Sequence, residues 1–145
     1  MSQFIGYPRD RVLAVFESVT TADDAIRALE AAGVDATAIE RFAGSLDADR
    51  FDSTGHRNGI AARVLRATQF GLMDQLPALA WYEAALRSDK VVIAVRAVQR
   101  PATLRAVQAL TGAGGHFINR FGRLQTEEFA RWRGPEPRVP NVMKS

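Results

Sequence analysis

The apolar residues of the chain fall into two similar series, separated by a longer stretch with a different pattern. In the first series, residues 12–16 form a short run of apolar, strand-forming residues. Thr20 and Thr21, followed by two acids, are typical of a helix start, and apolar residues then recur at helical spacing until Gly33 ends the helix. Residues 36–43 predict a second strand.

The second series repeats this order of elements. Residues 91–95 are again a strand-like apolar run, and Pro101 stands where the first residue of a helix is expected. Apolar positions continue at helical spacing as far as Gly112, where three glycines within four residues end the helix. Residues 116–121 predict the closing strand.

The two series match as copies of one β-α-β unit, at residues 10–44 and 89–122. The most specific match is Ile-x-Arg-Phe followed by a small residue, at residues 39–43 and again at residues 118–122. A doubled β-α-β unit is the ferredoxin-like arrangement. The sequence therefore predicts an α+β fold, with a four-stranded antiparallel sheet, two helices on one face and a helical insertion between the two halves.

The insertion, residues 45–88, is much longer than a hairpin connection requires. Its first part, residues 45–59, is polar and rich in turn formers, and a helix is predicted to begin near Asn58. A second helical stretch over residues 72–86 is expected to be interrupted or to restart at Pro77. Both helical stretches are amphipathic, so they are expected to dock on another surface.

The C-terminal part of the chain divides into a helix and an arm. Thr-Glu-Glu at its start predicts a short helix over residues 126–132. Residues 1–134 then form a single domain, and residues 135–145 an extended tail, because three prolines within six residues exclude a helix. Such an arm either frays or lies against a neighbouring subunit, and the second interpretation is favoured.

Side chains alternate between the two faces of a strand, which assigns the strand residues to two sets. The almost wholly apolar set is predicted to lie under the two helices: Val12, Ala14, Phe16, Phe42, Val91, Ile93, Val95, Phe117 and Phe121. The opposite set is apolar in its middle and charged around it: Leu13, Val15, Glu17, Ile39, Arg41, Val92, Ala94, Arg96, His116, Ile118 and Arg120. This second face must be covered by the insertion helices, by a second subunit or by a ligand.

The candidate ligand-binding residues lie on or near that second face. His116 opens the last strand and is a candidate general base, haem ligand or metal ligand. A hydrogen-bonded structural role is the other interpretation of this histidine. Its companions in a site are predicted to be Arg96, Asn119 and Arg120 from the sheet and Trp81 and Tyr82 from the insertion.

Arg41 and Arg120 occupy equivalent positions on the two predicted edge strands. Three strand spacings of about 4.8 Å separate them, roughly 14 Å in all, so they do not hold one small anion together. Each is expected instead to pair with a carboxylate, and Glu17 is a candidate partner for one of them.

A polar loop over residues 52–59 is a second candidate site. His56 and Arg57, with Arg63 nearby, suit a phosphate at a helix N-terminus, although an ordinary flexible loop fits as well. The Gly-Lys-Ser/Thr signature of a P-loop is absent. The arginines here have no interleaved aromatic residues, and no RNA-recognition signature is present, which argues against nucleic acid as a partner.

Composition narrows the function classes further. The chain of 145 residues has no cysteine, which excludes a disulfide framework, a zinc-thiolate site and a thiol nucleophile. No apolar run approaches the roughly 20 residues needed to span a bilayer, and the N-terminus lacks signal-peptide features, so we expect a cytoplasmic protein with no membrane partner. The net charge of +3 comes from arginine, which indicates an anionic partner or reflects a GC-rich genome.

Two motifs carry a resemblance to a known family. The first half contains Ala-x-x-Ala-Ile-x-x-Leu-x-x-x-Gly from Ala22 to Gly33, after a valine-rich strand. The second half contains Gly-x-His at Gly114, then Gly122 and the Thr-Glu-Glu segment at residues 126–128. These features resemble the bacterial general-stress family of doubled β-α-β proteins. The resemblance implies a stress-associated role without defined catalytic residues, and the charged insertion departs from the membrane-like hairpin of many relatives.

These observations indicate a non-catalytic stress-associated or small-molecule-binding module, acting as a homodimer, with a ligand or a lid on the second face. The small molecule is expected to be anionic or aromatic. The alternative is a dimeric α+β-barrel enzyme or a haem-type binding protein that uses His116. No motif identifies a cofactor.

Overall fold

The sheet is built around two central strands that are apolar on both faces. The computed structural model describes residues 8–48, 75–122 and 126–134. In chain order, its elements are β1 (Arg11–Phe16), α1 (Val19–Ala31), a 3₁₀ turn (Ala36–Ala38), β2 (Ile39–Ala43), α2 (Gly44–Ala48), α3 (Gln75–Arg87), β3 (Val91–Arg96), α4 (Arg100–Gly112), β4 (His116–Phe121) and β5 (Thr126–Ala130). Residues 12–16 of β1 and 91–95 of β3 are at most 2% exposed. Both faces of this sheet must therefore be covered.

Among the described residues, five antiparallel strands form the sheet in the order β2-β3-β1-β4-β5. The predicted α+β class and antiparallel sheet are confirmed, but the predicted number of four strands is wrong. Residues 126–132 do not form the predicted helix, because β5 pairs with the otherwise open edge of β4 and Phe129 packs against the sheet.

Helices α1 and α4 cover the first face. α1 begins after Ser18 and not at the predicted threonines, because Ser18 and Thr21 cap each other reciprocally. α4 carries Pro101 in its first turn, as predicted. The residues buried between these helices and the sheet, the first core, are Val12, Ala14, Phe16, Ala22, Ala25, Leu29, Ile39, Val91, Ile93, Val95, Ala97, Ala106, Leu110 and Ile118.

The described part of the insertion covers the second face. α3 continues through Pro77, where an interruption or restart is predicted, and α2 replaces the start of the predicted polar loop. The remainder of that loop and the helix predicted near Asn58 lie outside the described residues, as does the predicted tail, residues 135–145. The second core consists of Leu13, Val15, Phe42, Ala48, Leu79, Tyr82, Ala85, Leu86, Val92, Ala94 and Phe121.

The predicted faces are correct for β1 and β3 and wrong for β2. In β4 they are wrong for every assigned residue except His116, which lies on the second face as predicted. Phe42, Phe117 and Phe121 contact the second core, whereas Ile39 and Ile118 lie in the first. Ile39 and Phe42 are three residues apart and cannot share a face, so alternation does not settle the phase of β2. In β4, Phe117 has a φ of 47° and the pairing with β1 shifts register, so a bulge changes the phase.

The backbone supports the match between the two halves. Asp10 and Asp89, each within two residues of the start of a central strand, have φ angles of 61° and 65°. Gly33 and Gly114, each just after a helix of the first face, have φ angles of 93° and 95°. Equivalent positions in the two halves therefore adopt the same left-handed conformation, which only a few residue types adopt readily.

Gly115, between α4 and β4, has no room for a side chain. A Cβ there would lie 2.8 Å from Phe16 Cζ and 2.9 Å from the Leu110 carbonyl oxygen. We expect Gly115→Ala to lower the free energy of unfolding by about 1–3 kcal/mol, because the crowded backbone cannot move aside freely. Gly112→Ala is the matched control: nothing lies within 4 Å of the added methyl group. The control is expected to be neutral or to stabilise by up to about 1 kcal/mol.

Urea denaturation of the two glycine variants measures this difference. Equal free energies of unfolding for the two variants would contradict the packing described at Gly115.

Candidate functional site

Rings from three parts of the chain meet at one end of the second face. This aromatic cluster consists of Trp81 and Tyr82 from α3, His116, Phe117 and Phe121 from β4, and Trp132 from the segment after β5. Trp81 stacks on Phe117 with 5.4 Å between ring centroids. Trp132 lies edge-on to both, 5.3 Å from Trp81 and 5.7 Å from Phe117. The bulge at Phe117 turns that ring toward α3.

Tyr82 is the buried centre of the cluster. Its hydroxyl lies 2.6 Å from the Phe117 carbonyl oxygen and 3.1 Å from that of Leu13, and it accepts a hydrogen bond from Asn119 Nδ2 at 3.0 Å. Burial raises the pKa of Tyr82 far above its ordinary value, and the hydrogen bond from Asn119 opposes this only in part. The hydroxyl therefore stays protonated and ties α3 to β1 and β4.

His116 is 2% exposed and uses both ring nitrogens. Its Nδ1 accepts a hydrogen bond from the Arg133 backbone N–H at 3.0 Å, so the ring proton is on Nε2. Nε2 lies 2.6 Å from Glu17 Oε2, to which it donates. Burial lowers the pKa of His116, and the neighbouring Glu17 carboxylate opposes this only in part. The ring is accordingly neutral near pH 7.

Glu17 links His116 to a cation. Its other carboxylate oxygen, Oε1, accepts a hydrogen bond from Lys90 Nζ at 2.7 Å. The Lys90 ammonium lowers the pKa of Glu17, with a further contribution from the His116 hydrogen bond. The Glu17 side chain is 57% exposed, so this ion pair lies at the solvent-facing rim of the cluster.

The segment after β5, residues 131–134, closes the cluster from the side, and we call it the C-terminal strap. Phe117 N–H donates to the Arg131 carbonyl at 2.9 Å, and Arg133 N–H donates to His116. The Arg133 guanidinium donates to the carbonyls of Gly114 and Gly115 at 2.9 and 3.2 Å. Between these attachments, Trp132 lies 4.9 Å from the His116 ring.

Four of the predicted site residues come together here: His116, Asn119, Tyr82 and Trp81. Arg96 lies toward the opposite end of the face, since it pairs with Arg11 whereas His116 pairs with Val15. The predicted loop residues His56 and Arg57 lie outside the described residues.

Arg120 is on the other side of the sheet, contrary to its predicted place on the second face. Its guanidinium donates to the carbonyls of Ala97 and Val98 and to the Thr103 hydroxyl, at 3.0–3.2 Å. It also lies 3.6 Å from an Asp10 carboxylate oxygen. Arg120 therefore anchors the connection between β3 and α4.

Arg41 is likewise displaced to the first face, where it pairs with Asp23 of α1 at 2.8 Å. Both Arg41 and Arg120 have a carboxylate partner, as predicted, but neither partner is Glu17. Both arginines are predicted to lie on edge strands of the sheet. This is correct for Arg41 in β2, but Arg120 lies in β4, which is flanked by β5.

Sequence reasoning missed the strap and its tryptophan. Thr126, Phe129 and Trp132 are strand-forming residue types, but their spacing of three residues fits one face of a helix and not the two-residue alternation of a strand. Nothing in the local pattern indicates that Arg133 meets His116 or that Lys90 meets Glu17, because both contacts join distant parts of the chain.

Buried Glu40 is a further polar group that the sequence did not single out. Its Oε1 accepts a hydrogen bond from Arg11 Nε at 2.8 Å, and no partner for Oε2 is found within the described residues. The pair links β1 to β2 across the small Ala94 of β3.

Neither a metal-ligand cluster nor a membrane-spanning helix is found in the parts of the chain that the structure describes. No group of three or more His, Cys, Asp or Glu side chains there is arranged to hold a metal ion. No helix there is long and apolar enough to cross a bilayer.

Comparison of the chain with protein-family models, with curated proteins and with solved structures finds no match. Functional assignment therefore rests on the geometry of the aromatic cluster.

Tyr82→Phe removes the hydroxyl that joins α3 to the sheet. We expect a loss of about 1–3 kcal/mol in the free energy of unfolding, because Asn119 Nδ2 and the Phe117 carbonyl lose a buried partner. A double-mutant cycle with Asn119→Ala, measured by urea denaturation, isolates the contact. The double variant is expected to lose less than the sum of the single variants, and strict additivity would contradict the hydrogen bond between these residues.

Proposed function

We propose that the protein is a non-catalytic, stress-associated module, acting as a homodimer, that binds a flat aromatic small molecule with a negative charge at the rim of the aromatic cluster. One observation carries the proposal: the cluster keeps two half-buried tryptophan rings at its rim while its polar groups are engaged within the chain.

Trp81 and Trp132 provide the ring surface for this ligand. They are the only two tryptophans of the sequence, both are half-buried, and their centroids are 5.3 Å apart. Tryptophan is favoured at recognition surfaces because it combines a large apolar area with few rotatable bonds. Stacking of one flat ring on such a side chain is typically worth about 1–3 kcal/mol.

The polar groups of the cluster favour binding over catalysis. The Tyr82 hydroxyl and Asn119 Nδ2 bond to each other, and both ring nitrogens of His116 are engaged. A general base or a haem ligand would require a free nitrogen on His116. In addition, α3 packs on the face where a dimeric barrel would hold its substrate. Both points favour the non-catalytic module over the alternative.

The charge at the rim favours an anionic ligand. Lys90 and Arg133 contribute two positive charges beside His116, and Glu17 contributes one negative charge. Arginine binds carboxylates and related anions with good geometry.

The stress-associated part of the proposal depends on the interpretation of the chain as two copies of a β-α-β unit. The order β2-β3-β1-β4, with α1 and α4 on one face, supports the ferredoxin-like interpretation, with β5 as an addition. The stress-associated role follows from the resemblance of the two halves to the general-stress family. The homodimer rests on the pairing that is common among ferredoxin-like domains.

Titration with 2-naphthoate, followed by tryptophan fluorescence, tests the binding site. We expect saturable quenching, and Trp81→Ala should weaken the affinity by about tenfold or more, the equivalent of one lost stacking contact. Trp132 remains as the fluorescent reporter in that variant.

Leu104→Ala is the matched control, because Leu104 is 46% exposed on α4, on the other side of the sheet. It should bind 2-naphthoate like the unaltered protein. Equal affinities of the Trp81→Ala and Leu104→Ala variants would reject the proposed site.

Native mass spectrometry of protein purified from its own host tests the remaining parts of the proposal. The expected result is twice the chain mass with a retained small molecule. A bare monomer would contradict both the dimer and the ligand.

A further inference from the structure

We infer that His116 is a pH-sensitive latch for the C-terminal strap: protonation of its Nδ1 releases residues 131–134 from β4 and uncovers the Trp81–Phe117 stack. This switch requires no ligand and goes beyond the binding function proposed above.

The latch follows from the hydrogen bonds of one ring. Nδ1 accepts the Arg133 backbone N–H, which is possible only while Nδ1 carries no proton. Nε2 already carries a proton that it donates to Glu17, so the next proton must go to Nδ1. Protonation therefore replaces a hydrogen bond with two N–H groups that point at each other, and the strap loses its central attachment.

Of the charged groups around His116, one favours protonation of its ring and two oppose it. Glu17, at the end of β1, favours the charged ring, whereas Arg133 of the strap and Lys90 before β3 disfavour it. Burial is the largest influence and also disfavours the charged ring. When the strap leaves, the ring becomes hydrated and Arg133 moves away, and both changes favour protonation. Glu17 stays close and continues to favour the charged ring.

The direction of the pH dependence follows from this asymmetry. The docked state has a lowered His116 pKa, and the released state has one near the ordinary value of about 6.5. Docking is therefore fully stabilised above about pH 6.5 and loses stability as the pH falls below that value, through the lower pKa of the docked state. Glu17 also has a lowered pKa, so it stays ionised until the pH falls below about 4.5.

Release of the strap changes the surroundings of both tryptophans. Trp132 leaves the Trp81 and Phe117 rings that it now contacts edge-on, and Trp81 loses its neighbour on that side. Because the sequence has no other tryptophan, tryptophan fluorescence, excited at a wavelength that tyrosine does not absorb, reports on this region alone.

The test is tryptophan emission and acrylamide quenching of the full chain between pH 8 and about pH 5, with far-ultraviolet circular dichroism recorded in parallel. We expect a red shift and easier quenching with a midpoint below about pH 6.5, while the circular dichroism keeps its native shape. Constant fluorescence over this range, or loss of secondary structure with the same midpoint, would overturn the latch.

Two substitutions at His116 separate its roles. His116→Asn keeps an amide oxygen close to the position of Nδ1 but does not titrate, so the strap should stay docked and the transition should vanish. His116→Gln extends its amide toward the position of Nε2, so the strap should be loosened at every pH. A transition that persists in either variant would overturn the assignment to His116.

His56→Gln is the control for the other histidine of the sequence. It should leave the fluorescence transition unchanged, and a transition abolished by this substitution would refute the latch.

Discussion

The burial of both faces of β1 and β3 is the constraint on which the rest of this structure depends. Residues 12–16 and 91–95 have no exposed side, so each face of the sheet needs its own cover. The doubled β-α-β unit supplies only one cover, the pair α1 and α4. The second must come from outside the repeat, and α3 of the insertion provides it together with the strap. Helix α3 is thus part of the core.

The same constraint explains why the polar groups of the cluster serve as structural links. A helix laid across the second face brings Tyr82 into an apolar interior, where its hydroxyl needs partners. It finds them in Asn119 and in the carbonyls of β1 and β4. His116 likewise links the strap to β4 by accepting a hydrogen bond from the Arg133 backbone. Because the ring can be protonated, that attachment depends on pH.

The asymmetry between the two halves is concentrated at this end of the sheet. Aligned on Ile39 and Ile118, the first half has Thr37 and Ala38 where the second has His116 and Phe117. The first pair lies in the 3₁₀ turn at the edge of the sheet, whereas the second pair forms the bulge beside β5. His116 and Phe117, which have no chemical equivalent in the first half, therefore lie where β5 and the C-terminal strap are added to the doubled unit.

The repeated elements could be predicted from the sequence because their apolar spacing and their caps are local signals. β4 matches its predicted range, and β1 and β3 are each one residue longer than predicted. The face to which the β2 side chains point could not be predicted, because the apolar Ile39 and Phe42 are three residues apart and lie on opposite faces. In β4, a bulge at Phe117 reverses the faces of the residues after it, and the sequence pattern does not reveal a bulge.

The site was predictable only in part, because its contacts are long-range. His116, Asn119, Tyr82 and Trp81 could be placed near one face, but their partners Glu17, Phe117 and Trp132 depend on tertiary packing. The side of Arg120 was set by the bulge in β4, which the sequence pattern does not reveal.

Hydrogen exchange at neutral pH, followed by mass spectrometry, tests the central claim most directly. If α3 is the second cover of the sheet, its amides should be protected to the same degree as those of β1, because both open only when the fold opens globally. Rapid exchange in α3, while β1 and α4 remain protected, would contradict this account.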